Sequence, residues 1–256
     1  MDEKIFTDFD NYRMEKRRKI SIMDSIIRNN DEFKDSEIDV LFRGYIILIY
    51  AFWEGSYKEI QKVFFLSLKQ YSINDLPHTL KNTIVLDLSI EKREKSLKIG
   101  EITDYKTIKK IDSSIDEVLK KKLSEFDKDK NLEKHFKEQS NNPNYSKLEQ
   151  LLKKYNLSLN NILKRLISEG SIPENFKEYL DFIIKSRNSI AHGMDRLDGH
   201  DNYERYINSK FLNCDKFITE KVSDFLRDIT FYMDVLYNEI IREFKDKYMH
   251  VDEKVL

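Results

Sequence analysis

Apolar residues in this chain recur mainly at helical spacing. From about Asp2 to Arg28, Phe6, Phe9, Ile20, Met23, Ile26 and Ile27 predict a helix, interrupted by basic Arg13 and Lys16-Arg17-Arg18-Lys19 and ended by Asn29-Asn30-Asp31. A longer helix is predicted from about Ser36 to Tyr71, where Ile38, Leu41, Phe42, Tyr45, Ile49, Phe52, Trp53, Ile60 and Val63 share one stripe. Between Tyr45 and Trp53 it is apolar on nearly every side, which assigns it to the centre of a bundle and makes Tyr50 and Trp53 core residues.

The pattern then weakens. Residues 84–90 fit a short strand or a helix equally well, and residues 90–140 are rich in charges of mixed sign, as in a solvated helical insertion or arm. Asn141-Asn142-Pro143-Asn144 is a clear break. Leu148, Leu151, Leu152, Leu159, Ile162, Leu163 and Leu166 predict one or two short helices, closed by Gly170-Ser171. Pro173 is expected in the first turn of the next helix, which runs to His192 with Gly193 as its C-terminal cap. After a polar loop containing Gly199-His200-Asp201-Asn202, a last helix is expected from about Asp215 to Tyr248. The expected fold is all-α, a single helical domain over 1–256 with 90–140 as a charged insertion.

Composition narrows the function. Six Gly and three Pro supply too few turns for a β-sandwich or barrel, and no two glycines lie close enough to form a phosphate loop. Lys plus Arg (45) nearly cancels Asp plus Glu (46), so any polyanion must be held by a local site and not by an overall field. One cysteine, Cys214, excludes an internal disulfide and a thiolate cluster. With no signal-peptide pattern and no apolar run of about 20 residues, a cytoplasmic protein without a membrane partner is expected.

The chemistry concentrates in one segment. Over Phe176–His192, Phe176, Leu180, Ile183, Ile184 and Ala191 form the apolar stripe, and Arg187 falls within it. A guanidinium there needs a carboxylate partner inside the bundle, unless the stripe opens onto a cleft or subunit interface. Asn188 and His192 stand four residues apart on its flank, and His192 lies at the helix C-terminus, where the dipole favours an imidazolium. A cation, an amide and a titratable imidazole at one helix end suit a phosphate. No His/Asp/Glu cluster has metal-ligand spacing, so no metal or other cofactor is expected. His78, His135, His200 and His250 have no motif around them and read as surface residues.

Arg187-Asn188-Ser189-Ile190-Ala191-His192-Gly193 resembles the Arg-x4-6-His signature of the HEPN superfamily. Tyr50-Ala51-Phe52-Trp53-Glu54-Gly55 is similar to the Tyr-Ala-x-Trp-Glu-Gly helix of small prokaryotic HEPN proteins linked to toxin and phage-defence loci. The resemblance covers roughly residues 36–71 and 146–245. It implies a homodimer with two Arg…His motifs facing a shared cleft, and metal-independent cutting of RNA. On that reading Arg187 holds the scissile phosphate, His192 is general base or acid, Asn188 orients phosphate or imidazole, and Glu54 pairs with or positions Arg187. An antitoxin or defence-system partner is implied as well. The alternative is a non-catalytic HEPN dimer that binds RNA or a protein. Silencing by modification of a nearby tyrosine fits less well, because the first tyrosine beyond the motif, Tyr203, is eleven residues past His192.

Overall fold

The structure is a computed structural model that describes residues 3–29, 35–69, 71–82, 84, 119–120, 142–192 and 216–249. The described residues are helical apart from short connections. We label the helices α1 (Lys4–Arg28), α2 (Asp35–Leu68), α3 (Tyr145–Lys154), α4 (Leu159–Ser168), α5 (Phe176–Ala191) and α6 (Lys216–Tyr248). A 3-10 turn, Ile73–Asp75, follows α2.

As its pattern predicts, α2 is central. Tyr45, Ile49, Phe52, Trp53, Tyr57, Ile60 and Phe64 are fully buried. α1 runs antiparallel to it, with Tyr12 against Gly55 and Met23 against Gly44. Gly55 permits the close approach: a Cβ there would collide with the Tyr12 hydroxyl and force that side chain to move. α6 runs parallel to α2, as the Trp53–Tyr237 contact (5.3 Å between ring centroids) and the Phe64–Phe244 stack (4.1 Å) show. α5 covers another side of α2 and meets α6 where Tyr179 and Phe182 pack on Phe225.

The segment 148–166 resolves into two helices. Asn156 takes a left-handed conformation (φ 51°), which Asn tolerates better than most residues, and the chain turns there. Asn144 and Ser158 cap α3 and α4, each accepting a hydrogen bond from the backbone N–H three residues on. Gly170 (φ 70°) ends the turn after α4. α5 begins at Phe176, so Pro173 lies in the preceding turn, where its carbonyl accepts from Phe176 N.

Buried charge also joins the helices. Arg13, one of the basic residues that interrupt the apolar pattern of α1, is buried. Its guanidinium reaches Asp234 (2.9 Å), Asp10 (2.6 Å) and Asn238 (2.5 Å), while Arg17 binds the other oxygen of Asp234 (2.7 Å). Of the charged insertion expected over 90–140, only Leu119 and Lys120 are described, and Leu119 packs against the core. Gly193, the 199–202 loop, Tyr203 and Cys214 lie outside the described residues. No helix among the described residues is long and apolar enough to cross a membrane.

Candidate functional site

The stripe of α5 is buried through Phe176, Leu180, Ile183 and Ile184, then opens. Arg187 is half-buried, and Ala191 and His192 are exposed. Of the two readings that the sequence leaves for Arg187, the opening is the one that the described residues show. Among the described residues its partners are not carboxylates. The guanidinium lies over the Tyr50 ring, 4.7 Å from its centroid, and Nη1 donates to Asn188 Oδ1 at 3.1 Å. A ring face and an amide oxygen hold the cation without neutralising it. Among the described residues only one of its five N–H donors is engaged in a hydrogen bond.

His192 ends α5. Its backbone N–H donates to the Asn188 carbonyl at 3.1 Å, which places the two residues one turn apart. Its imidazole is exposed and makes no hydrogen bond among the described residues. Arg187, Asn188 and His192 thus all lie at the C-terminal end of α5.

Of the two roles expected of Glu54, pairing with Arg187 or positioning it, direct pairing is not seen among the described residues. Among the described residues its partner is Lys58, one turn along α2, at 2.6 Å. It remains close enough to act electrostatically. Burial, and then the Glu54 charge, push the Tyr50 hydroxyl above its ordinary pKa, while Arg187 pulls the other way. Tyr50 thus lies within reach of both charges.

Two residues of this cluster were not legible as functional. Tyr50 reads as core and is buried, but its hydroxyl donates to Asn142 Oδ1 at 2.8 Å. Asn142 reads as part of a chain break, yet its Nδ2 reaches Asn188 Oδ1 at 3.5 Å. The adjoining Pro143 carbonyl accepts from Trp53 Nε1 at 2.7 Å, fixing this turn to α2. The only hint in the sequence is that Asn-Asn-Pro-Asn offers several side chains able to bond locally.

Among the described residues, no group of three or more His, Cys, Asp or Glu is placed to hold a metal ion. A groove of about 720 Å³ between α1 and α6, lined in part by Arg17, Arg18, Arg227 and Phe231, contains none of the motif residues.

A helical bundle whose open end carries Arg187 and His192 from one helix, against a Tyr-Ala-Phe-Trp-Glu helix, agrees with the comparison by family. The model of the RiboL-PSP-HEPN family matches residues 12–240. The chain belongs to this HEPN family. The matched range runs from α1 into α6 and takes in both motif helices. No curated protein and no solved structure matches the chain. HEPN domains are generally ribonucleases or RNA-binding modules.

Proposed function

We propose that this HEPN protein is a metal-independent endoribonuclease that cuts RNA by attack of the 2′-hydroxyl, acting as a toxin or anti-phage effector. The observation that carries this reading is the open end of α5, where a held but unneutralised Arg187 and an exposed His192 stand beside Asn188. RNA supplies its own nucleophile, so the protein needs only to move protons and stabilise charge. His192 takes the 2′-hydroxyl proton as the oxygen attacks phosphorus. Arg187 binds the phosphate oxygens as charge builds on them. The bond from phosphorus to the 5′-oxygen breaks, and that oxygen leaves with a proton. The products carry a 2′,3′-cyclic phosphate and a 5′-hydroxyl.

A homodimer would supply two imidazoles, one as base and one as acid, in a composite cleft. Val40 and Ile47 support such a contact. They are exposed apolar residues two helical turns apart on α2, the helix that carries Tyr50 and Glu54. Glu54 stays in the proposal as a charge near the site, acting beside Tyr50. An antitoxin or defence-system partner that covers the open end would keep it silent.

The test is incubation of the purified protein with total tRNA and a labelled RNA in EDTA. The wild type is expected to cut, leaving cyclic-phosphate ends, and folded Arg187→Ala and His192→Ala variants are expected to lose at least a hundredfold in rate. A His192→Ala variant that cuts normally would remove the imidazole from the mechanism. A folded wild-type dimer that binds RNA without cutting it would favour the non-catalytic reading.

A further inference from the structure

The hydrogen bonds around Asn188 run in one direction. Its Oδ1 accepts from Arg187 Nη1 (3.1 Å) and from Asn142 Nδ2 (3.5 Å, the longest link). Both acceptor positions of that oxygen are then used, and the Nδ2 group at the other end of the amide has no partner among the described residues. Flipping the Asn188 amide would set its N–H donors against two other donors. Asn142 is oriented in turn by Tyr50, whose hydroxyl donates to Asn142 Oδ1 at 2.8 Å and so directs Nδ2 towards Asn188. Tyr50 enters twice, because its ring also carries the Arg187 guanidinium. Buried, and with its ionisation opposed by burial and by Glu54, the phenol keeps the proton on which the sequence of donors depends.

We propose that Tyr50 and Asn142 are positioning residues of the RNA site: acting through Asn188, they turn its amide NH2, together with the free edge of Arg187, towards the substrate phosphate. This rests on the ribonuclease reading and adds a phosphate donor, Asn188 Nδ2, whose direction is set from outside the Arg…His motif. Neither residue needs to touch RNA. Tyr50 is too deeply buried to stack on a base.

Three single variants separate this from a merely structural role. Tyr50→Phe keeps the ring and removes the donor. Asn142→Asp keeps the shape but sets a carboxylate oxygen against Asn188 Oδ1, and Asn188→Ala removes the group through which both act. Each is assayed for cleavage, and for binding to a 2′-O-methyl RNA oligonucleotide, which cannot be cut by 2′-hydroxyl attack. Tyr50→Phe and Asn142→Asp are expected to lower kcat about tenfold, the size of one well-placed hydrogen bond, with melting temperatures near wild type. In the Asn188→Ala background the same substitutions should have almost no further effect, which a general loosening of the fold would not produce. If the wild type cuts and either variant cuts as well as it does, or if the effects simply add to that of Asn188→Ala, the positioning role is wrong while the ribonuclease reading stands. Should the wild type bind the oligonucleotide without cutting RNA, and the same non-additivity appear in affinity, the ribonuclease reading fails and the network survives as part of a binding site. A wild type that neither cuts nor binds RNA overturns both.

Discussion

At the scale of single residues, the site and the core treat arginine in opposite ways. Arg187 rests on a ring and an amide, with no carboxylate partner among the described residues. Arg13 is buried and enclosed by Asp10, Asp234 and Asn238, and Asp234 also binds Arg17. Such a buried pair is costly to break, because the remaining charge stays desolvated. Asp234→Asn is therefore expected to lower stability by about 3 kcal/mol in urea unfolding. Combining Arg13→Met with Asp234→Leu should recover most of that loss. An unchanged midpoint and slope for Asp234→Asn would show that the pair adds nothing to the fold. This network is hard to read from sequence, since Arg13 lies in a basic run whose other members are solvated or half-solvated and Asp234 is more than two hundred residues away. The motif residues are different. Arg187 attracts notice because it interrupts an apolar stripe, whereas Tyr50 lies in a stretch that is apolar on nearly every side and gives no sign of a second role.

The helices themselves were largely legible. α1, α2 and α6 begin and end within a few residues of the limits their apolar periodicity predicts, because long amphipathic helices leave little choice of which face to bury. The division of α3 from α4 depends on one left-handed residue, Asn156, which periodicity alone does not mark. The turn before α3 is similar. Its Asn-Pro composition announces a break, but not that Asn142, Pro143 and Asn144 would bond in turn to Tyr50, Trp53 and Lys147. Asn144→Ala removes the cap of α3 and is expected to cost about 1 kcal/mol by chemical denaturation. A variant as stable as wild type would mean that the bonds of Asn142 and Pro143 hold the turn by themselves.

On the scale of the whole molecule, tyrosine dominates the response to base. Burial is the first cause that raises the hydroxyls of Tyr45, Tyr155, Tyr237 and Tyr248 above their ordinary value. In the unfolded chain these groups ionise near pH 10. A folded pKa above the unfolded one gives stability that is full below about pH 10 and is lost as pH rises towards the folded values. The protein should therefore unfold cooperatively above about pH 10, with the phenolate absorbance of this subset appearing together with loss of helical circular dichroism. Smooth ionisation of every tyrosine while the helices remain intact would contradict the buried positions assigned to them.

One consequence concerns synthesis of the chain on the ribosome. The candidate site is assembled from Tyr50, Asn142 and the end of α5, and α2 is also packed against α6, where Met233, Tyr237, Ile240 and Phe244 are fully buried. A nascent chain that has already displayed Arg187 and His192 still lacks the helix that closes its core. The proposed RNA site therefore gains the full support of its core only when the last helix of the described fold has emerged.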